Sequence, residues 1–300
     1  MSSSVSHLEA IGLAVAGFTL WVLADTTIKL AGQSALPAYE VIAFQGFFIA
    51  AFLALYGFWR RDTKALWPTL PKRQFLRSCL DLGNNLCVVV ALRHLPLTMF
   101  YILVFTAPMV IAILGVLFLR EDVEWRKGCA IFAGFAGVVI AVNPFGSHGK
   151  GDWFGYAACA VCVACFSTNM VWSRRLTQIE RPDSLTFFSG LVGFAAGLSL
   201  MLWHAEPVSL RMLALLSAMG MFCALGSICF FTALKFTTAA DVSQYHYTQL
   251  LSGSLLTWLI WREKPTIFML MGGVLIAVAG IYIAVRAARQ GIGPKTIMRE

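Results

Sequence analysis

Charged residues are scarce in this chain, and its polar segments are short. Asp, Glu, Lys and Arg make up 13% of the 300 residues, whereas hydrophobic residues make up 59%. A soluble globular domain carries about 25% charged residues, so this composition excludes that class and is typical of a chain that lies mostly in a membrane. The short polar segments also argue against a receptor, which would usually need a sensory or effector domain.

Motifs that carry catalytic or cofactor chemistry are also missing. The sequence has no phosphate-binding glycine loop and no nucleophile–base set, and its five histidines are scattered. We therefore expect no cofactor, no metal site and no enzyme activity. An intramembrane enzyme acting on lipid stays open as a remote alternative, because it would need such a set at one membrane depth. The spacing of Cys159, Cys162 and Cys165 within an apolar run indicates a packing stripe of small residues.

Hydrophobic segments long enough to cross a bilayer recur ten times along the chain. About 20 apolar residues span the hydrocarbon core as a helix. The N-terminal residues lack a basic region and a cleavage site, so we expect the first segment to be retained. The sequence predicts an all-α integral membrane protein with transmembrane helices at 8–30, 37–59, 74–92, 96–119, 127–143, 152–173, 184–203, 209–233, 239–260 and 267–286.

Positive charges are distributed unevenly between the loops. When the loops are assigned alternately to the two sides of the membrane, one side holds 17 of the 23 Lys and Arg residues. The densest group of these charges runs from Arg60 to Arg77. The positive-inside rule places that side, with both termini, in the cytoplasm. The net charge of +8 is thus explained by membrane topology, and no nucleic-acid partner is expected.

Two stretches of the chain repeat each other. Residues 91–121 and 233–263 align at an offset of 142 with seven of 31 positions identical, and both end in Arg-Glu. A weak internal repeat between hydrophobic segments is a feature of transporters, with the binding site where the repeats meet. We therefore predict two five-helix halves, 1–146 and 147–300. Because five is odd, the halves have opposite orientations in the membrane.

These features resemble the drug/metabolite transporter superfamily, of the EamA-domain type. The resemblance implies ten helices around a central cavity, lined chiefly by helices 1, 3, 4, 6, 8 and 9, in a bacterial inner membrane protein. Members of the superfamily export amino acids, drugs and other metabolites, and some import them. The residues that carry the resemblance are Trp21, Lys29, Thr106-Ala107-Pro108, Leu119-Arg120-Glu121, Tyr247, Gln249, Trp261-Arg262-Glu263, Gly272, Gly273 and Gly280.

Two carboxylates lie within predicted membrane helices. An ionisable residue at membrane depth normally faces a cavity or a partner. Asp81 is interpreted as a proton-coupling carboxylate or as a counter-charge for a substrate amine, and a structural hydrogen bond is its alternative. Asp25 has the same two interpretations, although Lys29 lies one turn further on and could simply pair with it. An apolar cavity disfavours the charged form of a carboxylate, which makes proton exchange at physiological pH plausible.

Polar and aromatic residues supply the remaining candidates for the site. Asn84 and Asn85 share a helix face with Asp81 and offer both donors and acceptors, or they join neighbouring helices. His246 is a candidate for proton coupling, and a packing histidine is its alternative. Gln249 is expected to share a face with Tyr245. The predicted substrate-binding residues are Trp21, Asp25, Asp81, Asn84, Asn85, Tyr101, Asn169, Tyr245 and Gln249, and the proton-coupling residues are Asp81, Asp25 and His246.

The sequence thus predicts a secondary active transporter that works by alternating access between its two halves. We expect a proton-coupled exporter of a small polar or amphipathic metabolite, such as an amino acid or a related compound. The alternative is uptake or exchange of a cationic or nucleobase-containing metabolite. The expected partners of the transporter are the substrate, protons and membrane lipid. The sequence leaves open whether the protein is a monomer or a homodimer.

Overall fold

A computed structural model gives the helices and their packing. The structure describes residues 7–31, 36–94, 103–104, 106–114, 118, 125–142, 153–262, 267–268, 270–275, 278–279 and 282. These residues contain no β-strand, so the described part of the chain is helical, as predicted.

The elements follow the predicted hydrophobic segments in order. Two short 3₁₀ turns, Thr63–Leu66 and Tyr245–Tyr247, accompany the α-helices. The α-helices are α1 (His7–Ala31), α2 (Ala38–Trp59), α3 (Pro71–His94), α4 (Ala107–Leu114), α5 (Trp125–Val142), α6 (Trp153–Leu176), α7 (Pro182–Met201), α8 (Leu210–Phe236), α9 (Ala239–Gln244) and α10 (Thr248–Trp261).

Five described helices are long and apolar enough to cross a membrane, which makes this a multi-pass membrane protein. They correspond to the predicted helices 1, 2, 6, 7 and 8. Helix α3 also has the necessary length, but it carries several charged residues, including Arg77 and Asp81. In α5 the apolar part is shorter. The five segments are Leu8–Thr27, Ala38–Trp59, Trp153–Leu176, Pro182–Met201 and Leu210–Phe236.

The helices pair across the two halves of the sequence. Helix α1 packs along α8, α2 along α7, and α3 along α6. In each of these pairs, one helix comes from residues 1–146 and the other from residues 147–300. The space between the pairs is therefore lined by both halves of the chain.

Glycines bring the backbones of two of these pairs together. A Cβ atom on Gly17 of α1 would lie 2.9 Å from the carbonyl oxygen of Gly226 in α8. A Cβ atom on Gly46 of α2 would lie 2.5 Å from the carbonyl oxygen of Gly190 in α7. Small residues permit such close approach between membrane helices, where packing and hydrogen bonds drive association.

The predicted helix over 239–260 is interrupted in the structure. Its first residues are capped, because the Thr238 hydroxyl accepts a hydrogen bond from the Asp241 backbone N–H at 3.1 Å. After α9, the residues Tyr245–Tyr247 form a 3₁₀ turn, and α10 begins at Thr248. A 3₁₀-helix has about 3.0 residues per turn, against 3.6 in an α-helix. The 3₁₀ segment therefore changes the direction in which every later side chain points.

A buried glutamate joins the second half of the chain to the start of α3. Glu180, in the loop between α6 and α7, is only 2% exposed. Its carboxylate accepts hydrogen bonds from the backbone N–H groups of Thr69, at 3.1 Å, and Leu70, at 2.6 Å. These groups directly precede Pro71, where α3 begins. Glu180 thus caps α3 and places a negative charge at the positive end of its dipole.

Replacing Glu180 with Ala is expected to destabilise the protein by about 1–3 kcal/mol, because a buried carboxylate is removed and two backbone donors at the start of α3 lose their acceptor. Equilibrium unfolding of the purified protein in detergent measures the change. Glu206→Ala is the matched control, since the Glu206 side chain is 47% exposed. An equal loss of stability in both variants would contradict a capping role for Glu180.

Candidate functional site

A cavity of about 240 Å³ lies between the paired helices. Residues from α1, α3, α6 and α8 line it, as the resemblance implied, and α2 and α7 contribute as well. Ligand sites of drug size occupy about 300–1,000 Å³, so this cavity suits a small metabolite.

The structure brings most of the predicted site residues together around this cavity. Tyr101 lies outside the described residues, and Tyr245 does not line the cavity. Those that line it are Trp21, Asp25, Asp81, Asn84, Asn85, Asn169, His246 and Gln249.

Asp81 is held by side chains of two other helices. Its carboxylate accepts a hydrogen bond from Asn169 Nδ2 of α6 at 3.2 Å, and Ser189 of α7 is a second hydrogen-bond partner. Asn169 is itself fixed, because its Oδ1 accepts a hydrogen bond from Ser173 Oγ at 3.2 Å. Asp81 thus joins α3 to both α6 and α7.

The cation that faces Asp81 is Arg77, which the sequence analysis counted among the cytoplasmic loop charges. Arg77 is 0% exposed, and its Nη2 donates to the Leu185 carbonyl oxygen at 2.8 Å and to Ser189 Oγ. Its guanidinium carbon lies 5.0 Å from the Phe231 ring centroid, a distance typical of a cation–π interaction. Arg77 lies inside α3, which begins at Pro71, and the predicted helix 74–92 also contained this residue although the loop count included it.

Asp25 has a different environment. It lies one turn after Trp21 on α1, and both residues line the cavity. Asp25 is exposed there, and it makes no hydrogen bond with a described residue. The side chain of Lys29, its predicted alternative partner, is not among those described. The two carboxylates of the site thus differ, because Asp81 is held by neighbours and Asp25 faces open space.

Aromatic rings surround His246 on the 3₁₀ turn. Its ring stacks on Phe18 at a centroid distance of 5.1 Å and lies 5.1 Å from the ring of Phe166. The histidine is 6% exposed. Gln249 lies next to it and donates from Nε2 to the Phe18 carbonyl oxygen at 3.3 Å. This environment holds the imidazole firmly in one place.

We expected Tyr245 and Gln249 to share a helix face, but in the structure they do not. The expectation assumed a continuous helix, and the 3₁₀ turn between the two residues changes their relative direction. Gln249 lines the cavity, whereas Tyr245 is 6% exposed and belongs to a cluster of buried hydrophobic residues. The aromatic wall of the cavity contains Trp21, Phe166, Phe230 and Phe231.

Gln45 of α2 is a cavity residue that the sequence analysis did not identify. Its Nε2 lies 3.1 Å from Cys223 Sγ of α8. Gln45 was overlooked because it is a single polar residue within a hydrophobic segment. Its position next to Gly46, in the middle of α2, was the available signal.

Comparison with known proteins identifies the chain's relatives. The sequence profile of the EamA-like transporter family matches residues 8–143 and again residues 153–286. The pseudopaline exporter of Pseudomonas aeruginosa is 26% identical over 273 residues, which are 90% of this chain and 93% of the exporter. An S-adenosylmethionine uptake transporter of Rickettsia bellii is 25% identical over 83% of this chain and 84% of its own length.

Two further matches agree with this result. A riboflavin transporter of Rhizobium johnstonii is 28% identical over 86% of this chain and 83% of its own length. A solved crystal structure superposes with a TM-score of 0.78 at 18% identity, covering 95% of this chain and 99% of that one. At that identity the structural match supports the fold alone.

Proposed function

The chain belongs to the EamA-like transporter family, whose profile matches it twice, and from this premise we propose that it moves a small polar or amphipathic metabolite by alternating access. An amino acid or a related compound is the substrate class that we favour. The observation that carries the proposal is the cavity, which both halves line and which contains two carboxylates. The relatives are named as transporters, which agrees with a transport role and not with an enzyme.

We also propose the topology expected from the sequence. Ten transmembrane helices form two inverted halves, 1–146 and 147–300, with both termini in the cytoplasm of a bacterial cell. The helix pairs support this arrangement. In two repeats of five helices, helix 1 corresponds to helix 6 and helix 3 corresponds to helix 8. The pair α1–α8 therefore corresponds to the pair α6–α3, and both pairs pack together. The proposal covers a monomer or a homodimer in the inner membrane, surrounded by lipid.

Proton coupling through Asp81 is the proposed driving mechanism, and export is the proposed direction. The named activities of the relatives include both export and uptake, so direction is a property to be measured here. Asp81 suits the coupling role because it lines the cavity and joins a helix of the first half to helices of the second. Protonation there would change the contacts that hold α3 against α6 and α7.

Reconstitution in liposomes tests the proposed function directly. The purified protein is placed in vesicles that contain a pH-sensitive dye, and pools of amino acids, nucleobases and organic cations are added in turn. A substrate-dependent proton flux would identify the substrate class and the coupling ion together. Silence across all pools, with binding still measurable by thermal shift, would contradict proton coupling.

Asp81→Asn is expected to abolish proton flux driven by substrate, while substrate binding remains. The asparagine keeps a similar shape but cannot exchange a proton, and it leaves Arg77 without its carboxylate. The double variant Arg77→Gln/Asp81→Asn removes both charges and serves as a check on folding. Transport with unchanged pH dependence in either variant would show that Asp81 does not couple transport to protons.

A further inference from the structure

Two glycines at the crossing of α2 and α7 occupy equivalent positions in the two halves. A Cβ atom on Gly46 would lie 2.5 Å from the carbonyl oxygen of Gly190, and a Cβ atom on Gly190 would lie 3.0 Å from that of Gly46. Each glycine thus approaches the other's backbone in the same way. The neighbouring residues Gln45 and Ser189 both line the cavity. This reciprocal contact fixes the offset between the halves at 144 residues for these helices.

The two carboxylates have unequal partners. An offset of 144 aligns Asp25 of α1 with Asn169 of α6, whereas the offset of 142 that relates Ala91 of α3 to Ala233 of α8 aligns Asp81 with Cys223. In the pair α3–α6, Asn169 donates a hydrogen bond to Asp81. In the pair α1–α8, the position of Asp81 is taken by Cys223, which also lines the cavity and accepts a hydrogen bond from Gln45 Nε2 at 3.1 Å. Among the described residues, the hydrogen bond between Asn169 and Asp81 therefore has no counterpart between Asp25 and Cys223.

The charge of the cavity shows the same asymmetry. Arg77 lies one helical turn before Asp81 on α3, and its guanidinium donates hydrogen bonds to Leu185 and Ser189 of α7. The described residues that line the cavity include both carboxylates but no Lys or Arg. Asp25 thus places a carboxylate at the cavity surface with no cation among the described lining residues. A charge at membrane depth is costly without a partner, and an intramembrane carboxylate in a transporter is by default a candidate functional site.

The surroundings of Asp25 suit a cation that carries a flat apolar group. Trp21 lies one helical turn away and lines the same cavity as Phe230, with their ring centroids 4.8 Å apart. The face of an aromatic ring attracts a cation, and the attraction increases when the pair is removed from water. Asn84 and Asn85 of α3 line the cavity as well and offer hydrogen bonds to a polar group.

We propose that Asp25 binds the cationic group of the transported substrate, and that the substrate is a small organic cation or an ammonium-bearing compound with a flat apolar part. This proposal rests on the proposed function, because it assigns a substrate class to the same cavity. It also separates the roles of the two carboxylates. Asp25 contacts the substrate, whereas Asp81 is hydrogen-bonded to Asn169 within the protein.

Three probes with one ring and different charges test the assignment. Benzyltrimethylammonium, benzyl alcohol and benzoate are titrated into the purified protein in detergent, and binding is measured by calorimetry. The cation is expected to bind at least about tenfold more tightly than the alcohol. The reason is that a charge pair with Asp25 inside the cavity contributes more binding free energy than a contact exposed to solvent. Asp25→Asn is expected to remove that preference and to leave alcohol binding unchanged.

Two further variants keep the result interpretable. Asp25→Glu retains the charge and is expected to retain the preference for the cation, which separates a charge effect from a folding defect. Asp62→Asn makes the same change at a residue that is half exposed and paired with Arg181, and it is expected to bind all three probes as the wild type does. Alcohol binding by each variant confirms that the cavity is formed.

Three outcomes would overturn the assignment. Benzoate could bind as tightly as the cation, or Asp25→Asn could bind the cation normally. The third is that cation binding appears only after Lys29→Met, which would make Lys29 the partner of Asp25. Failure of transport itself is distinguishable, because liposomes would then carry no substrate flux although the detergent-solubilised protein still binds the cation through Asp25.

Discussion

Replacing Arg77 with Met is expected to lower the free energy of unfolding by about 3–5 kcal/mol, because it removes two hydrogen bonds of a buried guanidinium and the cation one helical turn from Asp81. The variant leaves the Asp81 carboxylate within the bundle without its cation. It also removes the hydrogen bonds to Leu185 and Ser189 that join α3 to α7. Methionine occupies similar space beside Phe231, so most of the loss would come from the charge and its bonds. Equilibrium unfolding in detergent measures it.

The double variant Arg77→Met/Asp81→Asn is the decisive comparison. Removing both charges eliminates the uncompensated carboxylate, so the double variant should be more stable than Arg77→Met alone. Contacting residues in one network show interaction energies of about 0.5–3 kcal/mol in such a cycle. Strict additivity of the two single changes would mean that Arg77 and Asp81 do not act as a pair.

Replacing Gly46 with Ala is expected to have the second large effect, since α2 and α7 approach each other closely at this residue. The new Cβ atom would lie 2.4 Å from the backbone nitrogen of Phe194 and 2.5 Å from the carbonyl oxygen of Gly190. Backbone atoms cannot move aside as a side chain can, so α2 and α7 must separate. Overpacking costs about 1–3 kcal/mol and occasionally more. Thermal unfolding and liposome transport measure the two consequences.

Gly193→Ala is the matched control on the facing helix. A Cβ atom there would meet Ile42 and Gly46 at 3.9–4.0 Å, which is ordinary van der Waals contact. We expect this variant to unfold and transport as the wild type does. Similar losses in the two variants would show that alanine is harmful in these helices for a reason other than close packing.

The sequence was sufficient to predict the helical class, the five membrane segments found among the described residues and most of the polar residues that line the cavity. Hydrophobic length and glycine positions determine where a membrane helix lies, and both are local properties. The helical periodicity that placed Asp81, Asn84 and Asn85 on one face is also local. For that reason these residues line the cavity together.

Arg77 was counted among the loop charges although the predicted helix 74–92 contains it, because positive-inside counting treats an arginine near a helix end as a surface charge. The signal that identifies it is the separation of four residues between Arg77 and Asp81, which places the two side chains on the same face of α3. The cost of burying arginine is offset here by contacts from α7 and α8, which the sequence of α3 does not contain.

The interruption of the ninth predicted helix could not be derived from hydrophobicity either. Residues 244–249 are polar and aromatic, and a helical period accommodates them as well as a 3₁₀ turn does. In the structure, His246 of the turn is held between Phe18 and Phe166, and these rings belong to α1 and α6. Tertiary packing therefore decides the local geometry and removes Tyr245 from the cavity.

The pairing of helices across the two halves has a mechanical consequence. Glu180 binds the start of α3, and α1 and α8 are joined at Gly17 and Gly226. The bodies that move as rigid units would then each combine helices from both sequence repeats. A displacement of the first repeat alone would have to break all of these contacts at once. Evolution of either repeat is constrained by the other, because each repeat supplies one helix of every pair.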